Sequence, residues 1–270
     1  MTKNLLKQIM MVPEQKPEII NTKELIDKIN AGYIAKRVDK HQVKKTFAPS
    51  TIVWNHGECA RYWYLAFEGN VFESSDTPYG VANMTSGTHS HSRIQQALLD
   101  AELVVVHYDD NNNPTTEFKV YNDSPPIFGY ADGMLNWENE EIVLEIKTMN
   151  SESFEYSKNH GKPRASHVMQ ILIYMKILDK PKGALIYENK NTHELLVFPL
   201  EVSEPYKNWI NNTFAWLKDV RKAWSDKTIP QKNYRSNSKI CKACPLKTAC
   251  DSAEKGVIKI QPMEKLSEIV

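Results

Sequence analysis

The spacing of apolar residues predicts several helices. Residues three and four apart share a side of a helix, and Ile94 and Leu98 indicate one in a segment that opens with GTHSH at Gly87. The aromatic-rich segment ECARYWYLAF is typical of a helix buried on all sides. The predicted helices cover residues 24–37, 58–67, 88–106, 165–178 and 204–226.

Shorter apolar runs between these helices predict strands. Three of them, at 115–122, 126–137 and 141–148, follow the turn sequence DDNNNP. Two more, ALIYEN at 184–189 and ELLVFPL at 194–200, predict a hairpin. Strands interleaved with helices in this way predict an α/β fold.

One predicted hairpin brings two acidic residues together. If the runs at 126–137 and 141–148 are joined by a two-residue loop, Asp132 lies opposite Glu145. A loop shifted by one residue places Asp132 opposite Lys147 instead. In either register the three side chains share one face of the sheet, because side chains alternate along a strand.

These facing carboxylates predict a divalent metal site. Two carboxylates in a buried hairpin repel each other, and a cation held between them removes the repulsion. Oxygen ligands suit Mg²⁺ or Mn²⁺, and the ammonium of Lys147 is suited to steadying a water molecule or a developing oxyanion. An exposed hairpin with a Glu145–Lys147 ion pair is the alternative explanation, and it involves no chemistry.

Two helices carry further polar candidates. His91 lies four residues after Gly87, on the first turn of the predicted helix, where it can face a metal, whereas His89 points elsewhere. Gln170 and Tyr174 share one side of a helix and need polar partners, for which a metal-bound water or a DNA phosphate is suitable. A surface histidine and a satisfied core pair are the structural alternatives.

Composition and charge indicate a soluble globular protein. Of the 270 residues, 41% are hydrophobic and 25% charged, and the formal net charge of +1 provides no global basic field. Positive charge is local, in KNHGKPR at 158–164 and in residues 218–239, where Trp224 and Tyr234 are interleaved. That mixture predicts contacts with the DNA backbone and bases, with solvated helix faces as the alternative.

The four cysteines are candidate metal ligands. We expect a cytoplasmic protein, or one in the host cytoplasm if it is phage-encoded, because we see no membrane span and no secretory signal. In a reducing compartment cysteines are more often ligands than disulfides. Cys241, Cys244 and Cys250 lie close together in sequence, and Cys59 lies far upstream. Their spacing suits Zn²⁺ or a [4Fe–4S] cluster and does not choose between them.

The order of the motifs resembles one nuclease family. Asp132 and Glu145-x-Lys147, with GxxxH ending at His91 and Gln170-xxx-Tyr174 downstream, resemble the PD-(D/E)xK nuclease superfamily. The closest resemblance is to its RecB-like branch of exonucleases, which includes CRISPR-adaptation proteins. Ala131 stands where the motif has proline, but only the aspartate is expected to bind metal. The resemblance implies a restriction-endonuclease-like core, with a central mixed β-sheet flanked by helices.

The resemblance also implies a role for each motif residue. Lys147 would position or activate the attacking water, while Gln170 and Tyr174 would orient that water, Lys147 or a DNA phosphate. Glu117, on the preceding strand, is a candidate auxiliary acid. The implied ligands of Mg²⁺ or Mn²⁺ are His91, Asp132, Glu145 and the carbonyl group of Ile146.

For the cysteines the resemblance favours iron and sulfur over zinc. Some members of this branch have one cysteine before the nuclease core and three after it, and these hold a [4Fe–4S] cluster. Cys59 and the segment ICKACPLKTAC match that arrangement. We expect the cluster to be structural, joining the N- and C-terminal parts of the domain.

These observations predict a Mg²⁺- or Mn²⁺-dependent deoxyribonuclease, an exonuclease that acts on DNA ends or single strands. A structure-specific or nicking endonuclease and a catalytically inactive DNA-binding subunit are the alternatives. Because no GxxxxGK[ST] motor motif is present, a helicase or recombinase partner is expected, in recombination, repair or phage replication. The expected domains are a helical extension at 1–48, the nuclease domain at 49–255 and a tail at 256–270.

Overall fold

The protein is described here by a computed structural model that covers residues 19–35, 43–74 and 76–266. These residues form two compact units, one of residues 19–35 and 76–84 and one of residues 43–74 and 85–266. Within these ranges, we find no helix that combines the length and the apolar character needed to cross a membrane.

Most helices lie where the sequence predicts them, and a 3₁₀ turn at Asn55–Glu58 precedes the buried aromatic helix. The helices are α1 (Thr22–Ala35), α2 (Pro49–Ile52), α3 (Ala60–Phe67), α4 (Pro78–Asp100), α5 (Ser151–His160), α6 (Ala165–Ile177), α7 (Glu204–Ser225), α8 (Lys239–Lys242) and α9 (Lys247–Ser252).

The strands form one central sheet and two small antiparallel pairs. The central sheet has the order β5–β6–β7–β8, in which β6 and β7 are parallel and the outer pairs antiparallel. The predicted mixed sheet is therefore confirmed. The strands are β1 (His107–Tyr108), β2 (Pro114–Thr115), β3 (Phe118–Asn122), β4 (Ile127–Ala131), β5 (Gly133–Trp137), β6 (Glu140–Met149), β7 (Lys182–Asn189) and β8 (Leu195–Glu201).

In the smaller unit, α1 is an amphipathic helix with a side-chain cap. Asn21 Oδ1 accepts the backbone N–H of Glu24 at 3.0 Å, which satisfies one of the amide groups left free at a helix start. Lys23 and Asp27 form an ion pair of 2.7 Å along the polar side. Ile26 and other apolar side chains of α1 are solvent-exposed.

In the larger unit, helices cover both faces of the central sheet. On one face, Val143 and Leu185 pack into the main core with α6 and α7. On the other face, Leu144 and Ile146 form a smaller cluster with Ile94 of α4. Because side chains alternate along β6, Glu145 and Lys147 lie on the α6 side of the sheet.

The chain on either side of the expected nuclease domain also packs into this core. Phe47, which lies before residue 49, is fully buried. Ile260, Met263 and Leu266 lie beyond residue 255 and belong to the same core. The hydrophobic core of the larger unit therefore includes residues that lie before and after the central sheet in the sequence.

The hairpin between β5 and β6 adopts the first of the two predicted registers. Trp137 pairs with Glu140 and Gly133 with Leu144, so the loop consists of Glu138 and Asn139. Both loop residues have positive φ, 51° and 67°. A two-residue loop with this backbone has the twist that joins antiparallel strands tightly.

One predicted strand boundary is wrong, and it lies beside the acidic pair. The predicted strand 126–137 is two strands, because β4 pairs with β3 whereas β5 pairs with β6. Asp132 lies between β4 and β5, and its carboxylate accepts the backbone N–H of Ile146 on β6.

The helix that carries His91 begins at Pro78 rather than near Gly87, so His91 lies near its middle and not on its first turn. Proline is well tolerated in a first helical turn, where its missing N–H needs no partner. Thr77 Oγ1 accepts the N–H of Gly80 at 3.0 Å and caps that end.

Candidate active site

Asp132 is held by both the sheet and helix α4. Its Oδ2 accepts the backbone N–H of Ile146 at 2.6 Å, and its Oδ1 lies 3.4 Å from Nδ1 of His91. Gln95, one turn after His91, donates from Nε2 to the carbonyl oxygen of Asp132 at 2.8 Å. These contacts fix the carboxylate beside β6 and bring the predicted His91 to it.

Glu145 is a buried carboxylate next to Asp132. Its side chain is 1% exposed; Oε1 meets the ammonium of Lys147, and Oε2 has no hydrogen-bond partner among the described residues. Burial raises the pKa of Glu145, the carboxylate of Asp132 raises it further, and Lys147 opposes both. Burial tends to lower the pKa of Lys147, but Glu145 and Asp132 outweigh it and raise that pKa.

The predicted glutamine–tyrosine pair faces these carboxylates. Gln170 Nε2 donates to the hydroxyl of Tyr174 at 3.0 Å, and both side chains are buried on α6. Burial raises the pKa of Tyr174, and the charges of Glu145 and Asp132 raise it further. The hydroxyl is therefore close enough to the acidic pair to respond to its charge.

Glu117 also belongs to this neighbourhood. Partial desolvation raises the pKa of its carboxyl group, Asp132 raises it further, and His91 opposes the shift. Glu117 is solvent-exposed and lies just before β3. The structure thus places the loosely predicted acid near Asp132 and His91.

The donor atoms near Asp132 are of the types that a hard divalent cation binds. The site combines carboxylate oxygens with an imidazole, and Glu145 Oε2 is a buried oxygen without a hydrogen-bond partner in the described chain. Ile146 contributes its N–H to Asp132, and its side chain is buried on the α4 side. As they stand, no three His, Cys, Asp or Glu side chains in the described ranges are arranged as a metal-binding group. The ammonium of Lys147 provides the positive charge beside Glu145.

The four cysteines meet on another part of the larger unit. Cys59, Cys241, Cys244 and Cys250 all line one cavity, and all four, each in the described part of the chain, are free thiols. Burial raises the pKa of Cys59 to about 12 and that of Cys244 to about 11, and neighbouring cysteines contribute to both shifts.

Arg61 ties the cysteine segments together, and the sequence did not single it out. Its side chain is buried and donates to the carbonyl oxygens of Pro230 at 2.8 Å and Glu254 at 2.7 Å. Its Nε also donates to Sγ of Cys250 at 3.3 Å. An arginine two residues after Cys59, inside a helix of aromatic residues, was the available signal.

A polar neighbour of Lys147 was also missed. Tyr187 is the strand partner of Lys147 on β7, so the two side chains share a face of the sheet. The hydroxyl of Tyr187 lies 2.8 Å from Nδ1 of His167 on α6. His167 is three residues before Gln170, a helical spacing that was visible in the sequence.

The fold is similar to that of LHK-Exo, solved in complex with dAMP, at a TM-score of 0.50 and 11% sequence identity over 74% of this chain and 93% of that one. A structure of the alkaline exonuclease LHK-Exo from Laribacter hongkongensis gives a TM-score of 0.48 and 11% sequence identity, over 73% of this chain and 95% of that one. The structure of SSO0001 gives a TM-score of 0.43 and 16% sequence identity, over 87% of this chain and 98% of that one. No protein-family model and no curated protein matches the sequence. The first comparison shows a shared fold.

Proposed function

We propose that the protein is a metal-dependent deoxyribonuclease that hydrolyses phosphodiester bonds at DNA ends or in single strands. The observation that carries the proposal is the meeting of Asp132, Glu145 and Lys147 at one point, with Glu145 buried and one of its oxygens lacking a hydrogen-bond partner. A buried carboxylate of this kind is costly for a fold and is typical of a functional site. The shared fold with LHK-Exo, an alkaline exonuclease solved with dAMP, supports the same reaction class.

The proposed ligands of Mg²⁺ or Mn²⁺ are His91, Asp132, Glu145 and the carbonyl group of Ile146. When bound, such an ion makes a water molecule more acidic and offsets charge that develops on a phosphate. Asp132 keeps its hydrogen bond to the N–H of Ile146, which fixes its second oxygen for a ligand.

The other residues act on the nucleophile and on the DNA. Lys147 is a cation on the same face as Glu145, and it is suited to binding a phosphate oxygen or holding a water molecule for attack. Gln170 and Tyr174 orient the lysine, that water or a DNA phosphate. Glu117 is an auxiliary acid beside Asp132 in this proposal.

A second, structural metal centre is part of the proposal. The four thiols that line one cavity fit a thiophilic centre, for which we favour a [4Fe–4S] cluster, with Zn²⁺ as the alternative. The hydrogen bond from Arg61 to Sγ of Cys250 would hold that sulfur in place beside the centre. With no motor motif in the sequence, we propose that the nuclease acts beside a helicase or recombinase.

A cleavage assay tests the main proposal. Single- and double-stranded DNA labelled at the 5′ or the 3′ end is digested over a titration of Mg²⁺ and Mn²⁺, together with a closed circular DNA. We expect cleavage that requires the metal and a free end; nicking of the circle would indicate the endonuclease alternative.

The decisive variant is Lys147→Ala, with Lys182→Ala as a matched control. Lys182 lies on the neighbouring strand and pairs with exposed Glu140, an interaction that contributes little to stability. We expect Lys147→Ala to lose cleavage and to keep its fold and DNA affinity, while Lys182→Ala remains active. Equal cleavage by the two variants would overturn the mechanism. If the wild-type protein bound DNA but did not cleave it, the alternative of a catalytically inactive DNA-binding subunit would be favoured.

A further inference from the structure

A polar stripe on α6 extends one turn beyond the glutamine–tyrosine pair. His167, Gln170 and Tyr174 follow each other at helical spacing, so they share one side of α6. Gln170 and Tyr174 are buried, and Tyr174 lies within range of the charges of the acidic pair, whereas His167 is only partly buried near the start of the helix. The stripe therefore runs from the buried carboxylates towards solvent, and His167 is its outer member.

The sheet places His167 beside Lys147. Tyr187 pairs with Lys147 across β6 and β7, and its hydroxyl contacts Nδ1 of His167 at 2.8 Å. Arg164, at the N-terminal end of α6, donates its backbone N–H to the same hydroxyl at 2.9 Å. Burial lowers the pKa of His167, and the charges of Lys147 and Arg164 lower it further. The imidazole is therefore neutral and stands next to two cations.

The hydrogen bonds of Tyr187 indicate which nitrogen of His167 carries the proton. The oxygen of Tyr187 already accepts the N–H of Arg164, so its own proton is available to donate. With Nδ1 of His167 as the acceptor of that proton, at 2.8 Å, the proton of the neutral ring lies on Nε2. Among the described residues, the hydrogen bond found for the His167 ring is the one at Nδ1. His167 thus offers one fixed N–H donor beside Lys147.

We propose that His167 is a substrate-positioning residue whose Nε2–H binds a non-bridging phosphate oxygen of the DNA next to Lys147. The inference rests on the proposed nuclease function and adds a residue to it. A phosphodiester is the ligand that this neighbourhood fits, because the neutral ring of His167 lies within range of the positive charges of Lys147 and Arg164. Because Tyr187 sets the orientation of the His167 ring, its N–H can position the phosphate without adding another positive charge to the site.

The test combines protein variants with altered DNA. His167→Ala removes the donor, and His167→Gln keeps an amide N–H that can replace Nε2–H. His193→Gln is the matched control, because His193 lies in the loop after β7 and contacts Glu188 instead. Circular dichroism and thermal unfolding establish that each variant is folded. Each protein is given DNA in which one linkage near the cleaved end is an uncharged methylphosphonate, and the position of that linkage is varied.

We expect His167→Ala to lower kcat/KM by about 10- to 100-fold, the effect of losing one hydrogen bond to a charged group. His167→Gln should recover most of that loss, and His193→Gln should cleave like the wild type. At one linkage the methylphosphonate should slow the wild type and slow His167→Ala no further. Two results would overturn the inference. One is that His167→Ala and the methylphosphonate lower kcat/KM independently of each other at every linkage, and the other is that His167→Ala is fully active.

A binding measurement separates this inference from the nuclease proposal. The same DNA set is titrated with the same variants in Ca²⁺, so that affinity is measured without turnover. Non-additive losses of affinity at one linkage support the contact with His167 even if the wild type fails to cleave, in which case only the nuclease proposal fails. If the losses caused by His167→Ala and by the methylphosphonate are additive at every linkage, the contact between His167 and the phosphate is rejected, whether or not the wild type cleaves DNA.

Discussion

Asp132 lies at the open end of the β5–β6 hairpin, where its carboxylate accepts the backbone N–H of Ile146, the residue after Glu145. The pairing of Gly133 with Leu144 sets this position, and the Asp132 carboxylate adds to the raised pKa of Glu145. Two carboxylates so placed disfavour the fold unless a cation lies near them. In the structure Lys147 is that cation, and the proposed Mg²⁺ or Mn²⁺ adds a second.

Replacing Asp132 by asparagine tests this relationship. The amide oxygen of Asp132→Asn can still accept the N–H of Ile146, so we expect the fold to be retained. Removing the charge should weaken metal binding and lower cleavage by at least about 100-fold. End-labelled DNA cleavage and urea unfolding measure the two effects.

The control for Asp132→Asn is Glu141→Gln. Glu141 lies on the same hairpin and pairs with Lys180 at 2.6 Å, away from the acidic pair. It should cleave DNA at the wild-type rate. A cleavage rate for Asp132→Asn within about twofold of the control would contradict the assigned role of Asp132.

The hairpin loop offers a prediction about stability. Glu138 has a φ of 51°, a region that glutamate rarely adopts and that asparagine tolerates. Glu138→Asn should raise the free energy of unfolding by roughly 1 kcal/mol, because the left-handed conformation costs about that much for most residues. Cleavage should not change, since the register that places Asp132 is kept. Urea denaturation measures the stability.

Glu140→Asn is the companion variant for the loop prediction. Glu140 is the first residue of β6, where asparagine brings no conformational advantage. It should therefore leave the stability unchanged or lower it. If both variants stabilised the protein equally, the gain would not come from the backbone of Glu138.

The sequence predicted the acidic hairpin because its signal is local. Strand alternation and a two-residue loop restrict the register to two possibilities, and the structure adopts the first, in which Gly133 pairs with Leu144. Gln170 and Tyr174 were predicted for the same kind of reason, since helical spacing puts them on one side of α6. Short-range periodicity is thus sufficient for these contacts.

The start of α4 and the break at Asp132 were not predicted, because competing local signals favoured other boundaries. Pro78 and Gly80 are typical of a loop, yet both lie in a helix that begins at Pro78. The contact of His167 with Tyr187 joins α6 to β7, and only the packing of the helix on the sheet creates it. Such long-range contacts leave no periodic pattern in a single sequence.

The environment of His167 predicts a pH dependence of stability. Burial, with Lys147 and Arg164, lowers the pKa of His167 to about 3. The unfolded chain therefore binds a proton below pH 6.5 that the folded chain does not, and stability falls as the pH falls through that range. Between pH 6.5 and pH 5 the loss from this group is roughly 2 kcal/mol.

The variant His167→Gln isolates this contribution, because glutamine does not titrate. His56, whose pKa is lowered to about 4, mainly by burial, contributes in the same direction in both proteins. Urea unfolding at pH 5, 6 and 7 should show a steeper decline for the wild type than for His167→Gln. Parallel curves would mean that the imidazole titrates alike in the folded and unfolded chain.

The cysteine cavity predicts that one thiol is required for metal loading. Burial raises the pKa of Cys59 to about 12 and that of Cys244 to about 11, so both thiols hold their protons at neutral pH. A thiophilic metal must displace those protons, and loading should therefore strengthen as the pH rises. Cys244→Ser should lose the bound iron or zinc and unfold at a lower temperature, whereas Ser236→Ala, which lines the same cavity without a thiol, should keep both.

Metal analysis and the absorption spectrum of anaerobically purified protein distinguish the two metals. Iron and sulfide with a brown colour support the [4Fe–4S] cluster, and stoichiometric zinc in a colourless protein supports the alternative. Equal metal content in Cys244→Ser and Ser236→Ala would reject a centre held by these thiols. The proposed active site can be assayed separately, because Lys147→Ala should lose cleavage and retain any metal bound by the four cysteines.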